Sequence, residues 1–282
     1  MSDNLCLSGI EIVVVICSYG RNELTFQAVR DLGDPAIACR VLVVDNQGTV
    51  NLPSSENVGV IRPGSNLGWA RGSNLGIRTA LSHKTVSAVV LLNNDVRLSR
   101  GFVDGLYEAW ELTRASVVAP VYDHNWPQQR VEHHGIALDY EPTPVDRMVP
   151  FVDGTCMLIP RTTIHSVGLL DEVYWPKWGW GCDKDFCLRA RAAGGQVVVT
   201  ERAYLSHSAR GTAALMPGFS ELNAEIENDR GMELKWGKDW RELLYTGFEQ
   251  HPRTGLVQDK LASIKDPGTS AISVDPQGDL AG

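Results

Sequence analysis

Ile10-Glu11-Ile12-Val13-Val14-Val15-Ile16-Cys17-Ser18-Tyr19-Gly20-Arg21 opens as a β-branched run and breaks off into hydroxyls, a glycine and a charge. β-Branched side chains suit a pleated surface and lose freedom in a helix, so residues 10–17 predict a strand that ends in a polar cluster. The same signal returns at residues 40–44, 88–92 and 117–121, with a shorter strand at 58–62. Helix-compatible stretches fill the gaps at 23–32, 69–81 and 102–114. This alternation predicts an α/β fold, one Rossmann-like domain with a mainly parallel central sheet, because parallel neighbours need a crossover between them.

Residues 122–150 dissolve into prolines, histidines and charges, which predicts a long irregular excursion. Regularity returns with a strand at 152–159, a helix at 183–193 closed by Gly194-Gly195, and a last strand at 196–200. A C-terminal helix is expected at 221–236. Beyond that, Gly, Pro, Ser and Asp replace large apolar residues and cannot offset the entropy of ordering, so 249–282 reads as a flexible tail and 1–9 as an N-terminal extension.

A chain of 282 residues that is 43% hydrophobic can build one large core. Its formal net charge of −8 argues against broad electrostatic capture of nucleic acid or anionic lipid, so an anionic ligand must be held locally. No apolar run approaches the ~20 residues that cross a bilayer, and residues 12–17 lack signal-peptide flanks, which predicts a cytoplasmic enzyme. The six cysteines form no C-x-x-C pair and read as reduced, packed thiols.

Polar clusters sit where three predicted strands end, which in an open α/β sheet is where the ligand crevice lies. The first is Cys17-Ser18-Tyr19-Gly20-Arg21 and the second Val44-Asp45-Asn46. Asp45 could accept hydrogen bonds from a nucleobase N–H or a ribose, or it could simply close a turn. The third is Leu91-Leu92-Asn93-Asn94-Asp95, where Asp95 suits a hard cation shared with a diphosphate, although Asn-Asn-Asp is also a good turn sequence. Between them, Asn66-Leu67-Gly68-Trp69-Ala70-Arg71-Gly72-Ser73-Asn74-Leu75-Gly76 opens a helix whose small residues admit either a ligand or a closely packed neighbour.

Further on, Trp175-Pro176-Lys177-Trp178-Gly179-Trp180-Gly181-Cys182-Asp183-Lys184-Asp185 runs aromatics directly into carboxylates. Trp178 and Trp180 could pack against the C–H face of a sugar, and Asp183 at a helix start could take a proton from a bound hydroxyl; acidic residues in a first turn also simply favour the helix dipole. His207 and Arg210 lie in a polar, glycine-containing stretch that fits a metal ligand and a cation for a diphosphate.

In this order the clusters resemble the inverting glycosyltransferase family 2, in its rhamnosyltransferase-like branch with the glycosyltransferase-A fold. The resemblance spans residues 10–240 and includes Val152-Asp153-Gly154-Thr155-Cys156-Met157. It implies a nucleotide-binding half at 10–121 and an acceptor-binding half at 122–248. Ser18, Tyr19 and Asp45 would contact the nucleoside, with Asn66, Gly68 and Asn74 lining its pocket and Asn94, Asp95 and Arg210 completing the donor site. Asp183 would be the catalytic base; Gly154, Trp178, Trp180 and Asp185 would face the acceptor; Asp95 and His207 would hold Mg²⁺ or Mn²⁺. Members often carry Glu-Asp where this chain has Cys182-Asp183, and two acids in the metal motif where this one begins with Asn93.

The expected reaction moves a sugar from a UDP- or dTDP-sugar to a hydroxyl of a small-molecule or glycan acceptor, with no nucleic-acid partner, no transmembrane segment and homodimerisation left open. A nucleotidyltransferase that makes sugar nucleotides is a rival, but residues 17–22 hold one glycine where such enzymes carry a glycine-rich basic loop. A catalytically silent sugar-nucleotide binder is the other.

Overall fold

The computed structural model describes residues 11–53, 55–123, 127–207 and 213–248. The terminal segments expected at 1–9 and 249–282, and Arg210, lie outside the described residues. In chain order the elements are β1 (Glu11–Ser18), α1 (Asn22–Asp31), β2 (Ala38–Asp45), β3 (Val58–Ile61), α2 (Gly68–Leu81), β4 (Val86–Asn93), β5 (Val96–Leu98) and α3 (Phe102–Thr113). Then follow β6 (Val117–Tyr122), β7 (Asp146–Met148), β8 (Cys156–Pro160), α4 (Arg161–Val167), α5 (Cys182–Ala192), β9 (Val197–His207), α6 (Glu221–Trp236) and α7 (Trp240–Leu244).

One sheet runs β3-β2-β1-β4-β8-β6-β9-β5, with β7 pairing on β9. The first four strands are all parallel, as the β-α alternation predicts. Parallelism breaks at β8, which runs antiparallel to both β4 and β6; β5 and β7 are antiparallel to β9, which is itself parallel to β6. The architecture is mixed α/β.

Side-chain alternation along the buried strands divides the core between the two faces of the sheet. Ile12, Val14 and Ile16 of β1, with Ala88, Val90 and Leu92 of β4, join residues of α1 and α3 on one face. Val13, Val15, Val89 and Leu91 face the other side, toward α2, α4, α5, α6 and α7. α1 carries the chain from β1 out to β2, whereas β4 lies on the opposite side of β1. Strand order therefore reverses beside β1, and the crevice at such a reversal opens at the carboxyl ends of β1 and β4.

Three differences from the sequence expectation shape the site, and the short elements β5, α4 and α7 were not expected from the sequence. Residues 152–155 form no strand, because the Asp153 carboxylate takes the backbone N–H of Thr155 at 2.9 Å and its hydroxyl as well, folding the segment into a turn before β8. β9 extends past residue 200 to His207, across a register shift at Pro120/Val121 that reseats Tyr204 and Leu205 on β6. The excursion at 122–150 contains the three-residue strand β7, too short for its alternation to show against the surrounding prolines.

Candidate active site

The ends of β1 and β4 are tied to each other by hydroxyls and an amide. Ser18 Oγ and Thr25 Oγ1 share a 2.7 Å hydrogen bond, and Asn94 Nδ2 donates to Thr25 Oγ1 at 3.1 Å. Ser18, Thr25 and Asn94 are buried, so this chain of bonds satisfies groups that would otherwise be costly inside the protein. It fixes the crevice floor where β1, α1 and β4 meet.

Above that floor lies a cavity of about 550 Å³. Ser18, Tyr19, Asn66, Gly68 and Asn94 line it on the side of the parallel strands. Gly154, Trp178, Trp180 and Asp183 line it from the β8 and α5 side, and Asp95 and His207 also contribute to the wall. Residues as far apart as Ser18 and His207 thus open on one space.

Asp95 ends the two-residue turn between β4 and β5, and His207 reaches it through the antiparallel β5–β9 ladder, where Val96 faces His207. His207 Nε2 stands 3.3 Å from Asp95 Oδ1. Burial alone would depress the His207 pKa, but the Asp95 hydrogen bond and the charges of Asp95, Asp153 and Asp123 outweigh it and raise the imidazole above its ordinary value. A half-buried imidazole bonded to one carboxylate, within the field of two more, marks a place where positive charge is favoured. Among the described residues no group of three or more His, Cys, Asp or Glu side chains forms a metal cage by itself. One carboxylate and one imidazole nonetheless fit a Mg²⁺ or Mn²⁺ whose remaining ligands are phosphate oxygens and water, the usual arrangement for such cations at diphosphates.

Asp183 begins α5 and is 9% exposed. Its Oδ2 accepts the Gly154 amide at 3.0 Å and its Oδ1 the Lys184 amide at 2.8 Å. Burial raises its pKa; the Lys184 charge and the two amides pull it down, while Asp153 pushes it up, and the balance leaves it above the usual carboxylate value. Such a shift makes the carboxylate a stronger proton acceptor. Gly154 has to be glycine for this contact, since a Cβ there would come within 2.9 Å of the Trp69 ring and 3.4 Å of Asp183 Cβ.

The loop before α5 carries the aromatic wall. Trp178 meets Phe219 edge to face at 5.3 Å between ring centroids, and Trp180 meets the same ring at 6.2 Å. Phe219, Met216, Glu221 and Glu225 close the cavity on that side.

Three expected site residues stand elsewhere. Asn74 is buried in α2 with its amide fully engaged: Nδ2 donates to Leu170 O at 2.8 Å and Glu172 Oε1 at 2.7 Å, and Oδ1 accepts the Leu170 amide at 3.0 Å. It pins the 170–172 loop and is not on the cavity wall. The Asp45 carboxylate turns into the loop after β2, taking the amides of Gln47, Gly48 and Val50, and the wall at that point is Asn46. Asp185 has no exposed surface; it bonds Arg189, Lys235 and the Trp236 indole in the core rather than facing an acceptor. Gly72 and Gly76 serve packing: a Cβ would fall 3.0 Å from Cys17 Sγ at Gly72 and 2.2 Å from Val15 Cγ1 at Gly76. The described cysteines are free thiols, and burial pushes Cys17, on the cavity wall, up to about 11.

Sequence reading assigned no role to Trp69, Asp153, Phe219 or Glu225, all on the wall. Trp69 was legible as the one bulky residue in a glycine-rich helix start, and its indole donates to Asn93 Oδ1 at 3.1 Å.

No family model matches the chain. It is 36% identical over 204 residues to the uncharacterized protein Rv1525 of Mycobacterium tuberculosis, covering 72% of this chain and 76% of that one, and equally to protein Mb1552 of Mycobacterium bovis. The chain belongs to the family of these mycobacterial proteins. Distant homologues of this family member are glycosyltransferases. The low-salt glycan biosynthesis hexosyltransferase Agl10 of Haloferax volcanii is 25% identical over 53% of this chain and 52% of its own length. The dTDP-rhamnosyl transferase RfbF of Shigella flexneri is 27% identical over 54% of this chain and 53% of its own. The fold matches the crystal structure of GalNAc-T7 with UDP, GalNAc and Mn²⁺, with a TM-score of 0.55 and 12% identity over 84% of this chain and 50% of the other. Agl10 and RfbF, the two glycosyltransferases related by sequence, support sugar transfer in general. Among the described residues no helix is long and apolar enough to cross a membrane.

Proposed function

We propose that the chain is an inverting glycosyltransferase that moves a sugar from a UDP- or dTDP-sugar to an acceptor hydroxyl. The observation that carries this reading is that the proton-accepting Asp183 and the Asp95–His207 pair open on the same cavity. The nucleoside lies over the β1 end against Ser18, Tyr19, Asn66 and Gly68, and the acceptor sugar lies against Trp178 and Trp180. A metal ion held between Asp95 and His207 would supply positive charge to the leaving diphosphate.

Asp183 takes the acceptor hydroxyl proton as that oxygen forms a bond to the anomeric carbon, and the bond from this carbon to the diphosphate oxygen breaks with its electron pair. Attack from the side opposite the leaving group inverts the anomeric centre. The Gly154 and Lys184 amides hold the carboxylate in place. A charge-neutral wall at this point would leave the departing diphosphate uncompensated.

The experiment is to incubate the protein with UDP- and dTDP-sugars, Mn²⁺ and candidate glycan acceptors. The expected product is nucleoside diphosphate together with a glycosylated acceptor of inverted configuration. In a parallel reaction with added pyrophosphate, release of UTP or dTTP with sugar 1-phosphate would instead identify a nucleotidyltransferase, and binding without turnover in either reaction a silent binder. Asp183→Asn should lower transfer by roughly 10²–10⁴-fold, the range for a lost general base, with donor affinity unchanged. Near-normal turnover in that variant removes Asp183 from the chemistry.

A further inference from the structure

Helix α6 meets the cavity twice. Its start places Glu221 and Glu225 on the wall. The following turn reaches the loop of residues 175–181, which carries the aromatic rings into Asp183. There Glu227 Oε1 accepts the Lys177 amide at 2.8 Å and Oε2 accepts the Trp178 amide at 2.7 Å. One carboxylate that takes two successive backbone N–H groups makes a charge-assisted fork, which fixes the direction of the chain as well as its position.

The same helix holds the loop on either side of that fork. Trp175 is 1% exposed, and its indole lies between two glycines: an added Cβ would come within 2.3 Å of Nε1 at Gly231 of α6 and 2.4 Å at Gly181. Gly181 also has φ +108°, a conformation that side chains with a Cβ rarely adopt. Past Asp183, Lys184 Nζ donates to Asn228 Oδ1 at 3.3 Å. The loop is therefore held by α6 before, within and after the segment that bears Trp178, Trp180 and the base.

We propose that Glu227 is a positioning residue for the acceptor: by holding the Lys177–Trp178 backbone it sets where the aromatic wall stands, without touching the donor. This rests on the transferase reading above, in which Trp178 and Trp180 meet the acceptor. Gln at this position keeps the size of Glu but offers one accepting oxygen in place of two, so one of the two amides loses its partner.

The test uses Glu227→Gln in the full chain, with Glu233→Gln, an exposed carboxylate farther along α6, as control. Amide hydrogen exchange in the 175–181 peptide should quicken on the order of tenfold in Glu227→Gln alone, with peptides of β1 and β4 unchanged. UDP–Mn²⁺ affinity and slow hydrolysis of the donor by water should stay within about twofold. With an octyl glycoside that the unaltered chain glycosylates, the acceptor KM should rise on the order of tenfold while kcat holds. Unchanged loop exchange overturns the proposal, as does an equal loss of nucleotide affinity, which would mark Glu227 as support for the whole fold. Should the unaltered chain bind no nucleotide, the transferase reading fails, and loop exchange alone then decides whether Glu227 latches the loop.

Discussion

The two walls of the cavity are held by different kinds of contact. On the side of β1 to β4, polar residues lie at the ends of neighbouring strands and are tied within that half of the sheet: Ser18 and Asn94 both bond Thr25, and Asp45 closes its own loop through the amides of Gln47, Gly48 and Val50. On the side of β8 and α5, the residues that face the cavity are held by partners far along the chain: Gly154 by Asp183, and Lys177 and Trp178 by Glu227. The first wall follows from the sheet. The second also leans on α6 through Glu227, so weakening that contact should loosen it while the first stays in place.

The largest expected effect tests the docking itself. Asp185 sits with Arg189 and Lys235 in the core, and Asp185→Asn leaves Arg189 without its carboxylate and Lys235 with Asp171 alone, which should cost about 3–5 kcal/mol of stability in urea unfolding. A loss under about 1 kcal/mol would show that Asp171, which also bonds Lys235, holds the cluster by itself. Next, Asp95→Ala should weaken Mn²⁺-dependent binding of UDP or dTDP by at least about tenfold, near 1.4 kcal/mol. Calorimetry that finds equal affinity with and without Mn²⁺ in the unaltered chain would break the division between the walls. Asn74→Ala separates structure from binding most sharply. It should cost about 1–3 kcal/mol of stability, because Leu170 and Glu172 lose buried partners, yet leave nucleotide affinity unchanged.

The smallest effect concerns pH. Asp183 must be ionised to accept a proton, and its pKa is raised, so kcat should fall as pH drops through a value above the ordinary carboxylate range and hold above it. Asp153→Asn removes a charge that raises that pKa and should move the acid limb of the profile downward. An upward movement, or none, would separate Asp153 from the base.

What sequence could and could not show follows the same division. The parallel strands were legible because apolar runs ending in Ser18, Asn46 and Asn94 carry both the strand and its end in consecutive residues. Asp183 and Asp185 were not separable by that means. Both look like acidic residues in a first helical turn, but on a helix they point about 200° apart, so one faces the cavity and the other the core. The spacing gave the geometry; it gave no way to know which face was which. Asn74 misled for a related reason, since a polar side chain amid glycines suits a ligand or a buried loop equally well. Glu227 left no signal at all, because its partners are 49 and 50 residues away and a glutamate on a charged helix reads as a solvated face.

Among the described residues, Trp69, Trp178 and Trp180 stand on the cavity wall. Indole emission depends on polarity and on nearby quenchers, so a molecule entering this space alters the light the protein gives off. The chain thus carries its own optical reporter of occupancy, which needs neither a dye nor a label.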